Sequence, residues 1–502
     1  MAVFDGGFAA LPFDGLRSAA LDRAGSLGCR HADLRVERIR TQAVMLRDAR
    51  LEGAEDDLLL GMGVRVVADG AVGFAATVEI GPDAAARLVE QAVEAAATTA
   101  RAGGEAVELA DEPDHGTVEW TAPYEVDPTE VPLAEKVARL SAWSADLLGA
   151  RGVDHVTASL LCVAEEKYLA TLAGTVARQR RVRIQPSLEA LAGDEASSSF
   201  ETMRTLAPPT ARGYEYLDGD GWDFNSELAA LPELLAEKLR APSVEPGVYD
   251  LVIDPTNLWL TLHESVGHAT ELDRALGYEA AYAGTSFATP DQLGRLRYGS
   301  ALMNVSGDRT ARYGLASIGY DDEGVAAQRF DLVADGILVG YQLDRRIAAA
   351  RGYARSNGCA FADSPLNIPM QRMANVSLRP APAPGPTTAE LVGGVDRDIY
   401  IVEDKSWSID QQRYNFQFTG QRFFRIEHGR LAGQLRDVAY QSTTTEFWGS
   451  LAALGGESTY LVGGAFNCGK GQPGQVAPVS HGAPSTLFEQ VRVLNTRAES
   501  GR

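Results

Sequence analysis

Two histidines bracketing a glutamate, in the run His263-Glu264-Ser265-Val266-Gly267-His268, set the hardest geometric condition in this chain. A strand-like stretch, Tyr249–Asp254, ends at Pro255, and Asn257–Thr261 read as a helix running into the motif. Neutral imidazoles can ligate one metal ion, and a carboxylate between them can take a proton from a water on that ion. In the common H-E-x-x-H spacing the two rings lie about 40° apart around an α-helix. Here the spacing is one residue longer and puts them about 140° apart. Both rings reach one ion only if the helix bends or ends between them, and Gly267 permits that. Two packed or surface histidines that hold nothing would leave the same pattern.

A catalytic zinc takes three protein ligands and keeps one position open, so a third donor is required. The candidates are His428, His481, Cys468 and a carboxylate near the motif. Cys468 lies in the glycine-rich run Gly463–Gln472, read as a loop able to approach a metal closely; Lys470 nearby would favour the thiolate. A free thiol on a flexible loop is the plain alternative. Cys29, Cys162 and Cys359 read as small buried residues. Because Lys470 is followed by Gly471, the run is not a phosphate-binding G-x-x-x-x-G-K-[ST] loop.

The rest of the 502 residues is long enough for two or three domains. With 46 Lys plus Arg against 68 Asp plus Glu, the net charge is −22, which argues against a nucleic-acid partner. Four widely spaced cysteines without a CxxC pair fit a reducing compartment. No basic-then-apolar leader and no apolar run of about 18 residues is found, so no membrane partner and a cytoplasmic location are expected.

Asp69-Gly70 between apolar alternating runs predicts a hairpin, within strands expected at 32–50 and 62–80. Helices are expected at 14–27, from Pro82, after Pro128 and at about 226–240, and further strands at 153–164, 167–171 and 175–192. The fold class is therefore α+β. An N-terminal α+β domain with an antiparallel sheet and packed helices is expected over 1–243. A C-terminal strand-rich, barrel-like mixed-sheet domain carrying the metal site is expected over 244–502.

Four motifs in order then resemble the TldD/PmbA (TldD/TldE) family, in its catalytic TldD-like branch. They are His263, Glu264, Gly267 and His268 with the acidic Glu271 and Asp273; the turn Asp321-Asp322-Glu323-Gly324; Arg372-Met373-Ala374-Asn375; and Cys468-Gly469-Lys470 with Gln472. The resemblance implies a zinc metallopeptidase acting on small or unfolded peptides, with His263, His268 and Cys468 holding zinc and Glu264 as general base. It also implies an extended peptide substrate added as a β-strand, and a homodimer or a heterodimer with a paralogue lacking the motif. A thiolate ligand should weaken the metal's Lewis acidity and keep turnover modest. The tail Val491–Arg502 departs from the Val-Gly-Gly ending common in that family. Asp321, Asp322 and Glu323 are read as solvated turn groups or caps, with Arg372 a possible partner for one of them. A non-peptidase zinc amidase or deformylase-like hydrolase, and a non-catalytic peptide-binding subunit, are the competing readings.

Overall fold

Asp48, Ala49, Asp69 and Gly70 all sit at positive φ, and these two tight turns fold the N-terminal part into long antiparallel ribbons. The strands are β1 (His31–Arg47), β2 (Arg50–Ala68) and β3 (Ala71–Thr77). The computed structural model describes residues 4–103, 105–194 and 199–499; the last three residues of the departing tail fall outside that set. The Asp69-Gly70 hairpin is where the sequence puts it. The first turn was not expected: β2 starts at Arg50, because the polar stretch Arg50–Asp57 carries no apolar alternation yet pairs with β1, with one register shift that leaves Glu52 unpaired.

β4 (Thr117–Thr121), β5 (His155–Thr171), β6 (Val176–Asp194) and β7 (Ser199–Arg204) complete a seven-stranded sheet ordered β3-β2-β1-β5-β6-β4, with β7 also on β6. All its pairings are antiparallel except β4 with β6. The two strands expected at 153–164 and 167–171 are one strand. Helices α1 (Phe13–Ser26), α2 (Pro82–Arg101), α3 (Leu133–Leu148) and α4 (Phe224–Arg240) cover one face. Leu34, Val36, Val64 and Val66 pack under α1 and α2, and Val44, Leu46, Leu160 and Leu188 under α3 and α4.

Side chains alternate across a strand, so the intervening residues form the opposite face, and that face is charged and buried. Asp33, Arg35, Glu37, Arg65, Glu165, Lys167, Arg181 and Arg183 lie there. The turn Asp321–Gly324 docks on it. Asp322 accepts from Lys167 Nζ at 2.7 Å, and Glu323 accepts from Arg65 and, at 2.6 Å, from the Arg345 N–H. Asp321 turns inward and accepts the N–H groups of Glu323, Val325 and Ala360. These carboxylates are not solvated: all three are at most 2% exposed. Arg372 pairs with none of them.

The C-terminal half closes into a five-stranded barrel. β8 (Gly247–Ile253) runs parallel to β9 (Arg397–Ile409), and β9, β10 (Asn415–Glu427), β11 (Val438–Thr443) and β14 (Thr486–Asn495) follow antiparallel, with β14 returning to β8. Leu251, Ile253, Ile399, Phe418, Tyr440 and Phe488 fill its core. A hairpin of β12 (Leu461–Lys470) and β13 (Gln475–Ala483) stands beside it. α5 (Pro255–Leu262) leaves β8 through Asp254, which caps it by accepting the Thr256 N–H at 3.0 Å, with Pro255 in the first turn. No helix among the described residues is long and apolar enough to cross a membrane.

Arg65 is the only described partner shared by Asp33 and Glu323. Replacing it by Met leaves two buried carboxylates facing each other's field, and the expected cost is about 3–5 kcal/mol, read as a lower urea midpoint at pH 7. Burial opposes ionisation of Asp33, but Arg65 and His31 outweigh it and hold the carboxyl at about 2. The ionised form thus stabilises the fold fully above its unfolded value of about 3.9 and loses that contribution as pH falls through the folded value. Wild type should lose stability between about pH 4 and pH 2, and Arg65→Met should show a smaller loss over that window.

Candidate metal centre

α5 does not continue as an α-helix through the motif. From His263 to Gly267 the chain widens into one π-helical turn, closed by the His268 N–H on the His263 carbonyl, five residues back. A 3-10 turn follows over His268–Thr270. The wider turn brings the two imidazoles to the same side, with ring centroids 4.6 Å apart. Carbonyls that the irregular turn frees are taken by side chains: Ser265 O by the Tyr298 hydroxyl, Val266 O by Thr270 Oγ1 at 2.8 Å, Gly267 O by Gln342 Nε2 at 2.7 Å. Gly267 itself keeps right-handed helical angles, φ −53° and ψ −62°. Its lack of a side chain serves packing instead of backbone freedom, because a Cβ there would meet Met373 Sδ at 2.6 Å.

Cys468 arrives from the hairpin. It lies on strand β12, not on a loop, next to a register shift between Ala465 and Cys468 that re-aims the strand. The glycines before it allow close approach: a Cβ on Gly463 would strike the Trp259 ring at 2.7 Å, and one on Gly464 the Val479 carbonyl at 2.3 Å. Donor atoms of His263, His268 and Cys468 lie within 4.8 Å of one another. Cys468 Sγ is 3.5 Å from His268 Nε2. Zinc–sulfur and zinc–nitrogen bonds of about 2.3 and 2.05 Å at a tetrahedral angle require a separation of about 3.5 Å, so the donor set fits zinc.

The hydrogen-bond partners fix which nitrogen of each ring offers a lone pair. His268 Nδ1 donates to Glu271 Oε2 at 2.8 Å, leaving Nε2 for the sulfur side. His481 Nδ1 donates to the Val376 carbonyl at 2.9 Å, and its Nε2 lies 2.7 Å from His263 Nδ1. Burial, and then the neighbouring His263, hold the His481 imidazole well below its usual value, so it is neutral and its Nε2 accepts. His263 therefore donates through Nδ1 and keeps Nε2 free. His481 is an orienting partner of His263 and not part of the donor cluster. His428, the other histidine considered, is exposed in a turn and paired with Asp396.

Lys470 does not set the state of the thiol. Its ammonium is taken by Glu271 at 3.0 Å and Asp273 at 2.8 Å, which ties the hairpin to the segment after His268. Burial would push the Cys468 thiol up, but His268 and then Arg372 outweigh it and lower it. Arg372 donates to the carbonyls of Cys468 and, at 3.1 Å, Gln475, clamping the two hairpin strands. Cys162 and Cys359, by contrast, are pushed up to about 12 by burial. Glu264 accepts from Arg413 Nη1 at 2.6 Å. Burial raises this carboxyl, yet His268, His263 and Arg413 together hold it below its usual value. Arg413 stands at φ +62° in the turn between β9 and β10, which Asp410 holds by accepting the N–H groups of Gln412, Tyr414 and Asn415. It lies 149 residues from Glu264 in a stretch with no motif, so sequence reasoning could not find it.

Two family descriptions match the chain: the PmbA/TldA metallopeptidase C-terminal domain over 246–495 and the PmbA/TldA metallopeptidase domain 1 over 32–96. The chain belongs to the PmbA/TldD metallopeptidase family. A metalloprotease of Methanothermobacter thermautotrophicus is 27% identical over 473 residues, covering 93% of this chain and 96% of the relative. A zinc metalloprotease TldD homolog of Saccharolobus solfataricus is 26% identical over 300 residues, 60% of this chain and 62% of the relative. In fold, the chain is similar to TldE of Thermococcus kodakarensis, with TM-score 0.66 and 15% identity, covering 94% of this chain and 98% of that one. Membership accounts for the four motifs together: two build the donor cluster, Arg372 clamps its hairpin, and the acidic turn docks the N-terminal sheet.

A methyl group at position 267 must displace Met373, which is buried. Gly267→Ala should cost about 1–3 kcal/mol by overpacking. Gly469→Ala, where a Cβ meets nothing within 4 Å, should leave the thermal midpoint in place.

Proposed function

We propose that this chain is a zinc-dependent peptidase that cleaves extended, unfolded peptides, with His263, His268 and Cys468 as zinc ligands and Glu264 as general base. The observation that carries the reading is the convergence of two imidazoles and a thiol from separate elements within 4.8 Å. The names of its relatives, several of them metalloproteases, support the same chemistry. Bound zinc would supply Lewis acidity, making a water acidic near neutral pH and polarising an amide carbonyl.

The protein's own groups do the rest. Arg413 holds one oxygen of Glu264 and leaves the other free to take a proton, which the carboxyl can later hand to the leaving amine. Its lowered affinity for protons keeps it ionised and ready to accept. Glu271 and His481 fix the ring orientations of the two histidines. Arg372 and Lys470 hold the thiol strand against them. A Cys468 thiolate would donate charge to a bound metal, so turnover should be modest beside a three-nitrogen site.

The same reading takes the protein as cytoplasmic, with 1–243 and 244–502 as its two domains. It works as a dimer, with a second copy or with a paralogue.

Metal analysis of the purified full chain should find about one zinc per chain. Glu264→Gln should keep that zinc and lower cleavage of an unstructured peptide by at least about 100-fold. Cys468→Ser should lower zinc content. Full activity in Glu264→Gln would remove the base from the mechanism. Turnover of N-formyl or small amide substrates, with none of peptides, would favour the amidase reading.

A further inference from the structure

A groove of about 210 Å³ opens between the N-terminal sheet and the barrel, beside the metal centre. It is smaller than the roughly 300–1,000 Å³ of small-molecule sites, so it suits one side chain and not a cofactor. Its chemistry comes from Arg204, Trp259, Glu403, Asp404 and Trp407, with Gly463 as a wall.

Consecutive residues of a strand point to opposite faces. Glu403 breaks that rule: it stands at φ +58°, and β9 shifts register between Asp404 and Trp407, so Glu403, Asp404 and Trp407 all line the one cavity. Glu403 is 3% exposed. Its Oε1 accepts from Arg204 Nε at 2.6 Å, and its Oε2 has no hydrogen-bond partner among the described residues. Asp404 accepts the Trp259 indole N–H at 3.0 Å. Arg204 also donates to the Asp404 carbonyl at 3.2 Å. Arg204 Nη2 also lies 3.6 Å from the Asp404 carboxylate, so two acids share its guanidinium; Arg422 donates to the Arg204 carbonyl at 2.9 Å and faces Glu227. Burial pushes the Glu403 carboxyl up to about 8 in spite of Arg204 and Arg422, so it is largely protonated near neutral pH and is an acid that an entering cation would ionise.

The groove is coupled to the metal centre by position. Trp259 lines it, and the Trp259 ring is 6.2 Å from that of His263. The wall Gly463–Asn467 runs directly into Cys468. At about 3.3 Å per extended residue, a chain crossing the metal centre carries a side chain into the groove within about three residues of the bond over the metal.

We propose that this groove is a specificity subsite for a lysine or arginine side chain of the peptide, its cationic end held by Glu403 and Asp404 and its stem lying against Trp259 and Trp407. The proposal rests on the peptidase reading for what the ligand is, but its test does not need turnover.

The full, zinc-loaded chain carrying Glu264→Gln is titrated, by tryptophan fluorescence, with unstructured peptides identical except at one scanned position. Lysine is compared there with norleucine, and arginine with citrulline. At one position the charged peptide should bind about 10- to 100-fold tighter, the range of a charge-assisted hydrogen bond. Glu403→Gln with Asp404→Asn should abolish that preference, and Trp407→Ala, at an exposed indole, should weaken it several-fold. Equal binding of charged and neutral peptides at every position overturns the proposal. So does a preference that survives in the double variant. Because the first comparison changes only the peptide, it holds even if a variant misfolds. A charge preference without any wild-type cleavage would sink the peptidase reading and leave the subsite standing; cleavage without a preference would do the reverse.

Discussion

One backbone hydrogen bond, from the His268 N–H to the His263 carbonyl, carries the geometry of the whole centre. An α-helical bond at that point would leave the two rings about 140° apart and no shared position for an ion. The wider turn removes that conflict but exposes carbonyls that a regular helix would have satisfied. Tyr298, Thr270 and Gln342 satisfy them from three different parts of the chain. Gln342 does more than donate to a stray carbonyl: its other end accepts the Ala374 N–H at 2.7 Å, next to Met373, whose sulfur fills the space that Gly267 leaves. The turn is therefore held by long-range packing, and no local propensity of residues 263–268 would produce it alone.

Around that turn the protein buries an unusual amount of charge, and its arrangement decides what each group can do. Glu271, Asp273 and Lys470 are all at most 6% exposed, and the lysine answers the two carboxylates directly. Such pairs add little net stability, since desolvation cancels most of the Coulomb gain, but they fix register strongly because a misplaced partner leaves a bare buried charge. Here register is what matters. The hairpin must deliver one sulfur close to two rings on another element, and the Arg372 contact at the Cys468 carbonyl and the Lys470 contacts two residues on hold the strand in place. The same logic operates where the acidic turn Asp321–Gly324 meets Arg35, Arg65 and Lys167 of the N-terminal sheet.

Much of this was legible from residues alone. Spacing at His263–His268 stated the geometric condition, and apolar alternation with Asp69-Gly70 gave the antiparallel N-terminal sheet. The strand-rich, barrel-like character of the C-terminal half was also readable from its short strands and turns. Other features were not legible, each for a physical reason. Arg50–Asp57 has no apolar face, so its strand is held only by pairing with β1. The glycines before Cys468 look like a loop, but they serve close approach to Trp259 and to β13 within a strand. A run of acidic residues at 321–323 normally signals solvent, and only the charged inner face of a distant sheet makes it a buried contact. Arg413 acts on Glu264 with nothing at its own position to announce it, and His481, read as a candidate ligand, instead orients His263.

The proposed base and the proposed ligands are steadied from different parts of the molecule. His263, Glu264 and His268 share one segment, but the oxygen of Glu264 that is fixed is fixed by Arg413, from a barrel turn that Asp410 organises. His268 and Cys468 are instead steadied by Glu271, Lys470 and Arg372, none of which touches that turn. Arg413 also has an electrostatic effect that runs against its steering role: its positive charge helps keep Glu264 ionised but weakens it as a proton acceptor. A base held below its usual value works only if the water it serves is made acidic by something else. In the proposed mechanism that burden falls on the ion that His263, His268 and Cys468 would hold, and a thiolate among them would partly offset its charge. On that reading base strength and Lewis acidity are both held back, so positioning by Arg413, Glu271 and His481 would supply a larger share of any rate enhancement.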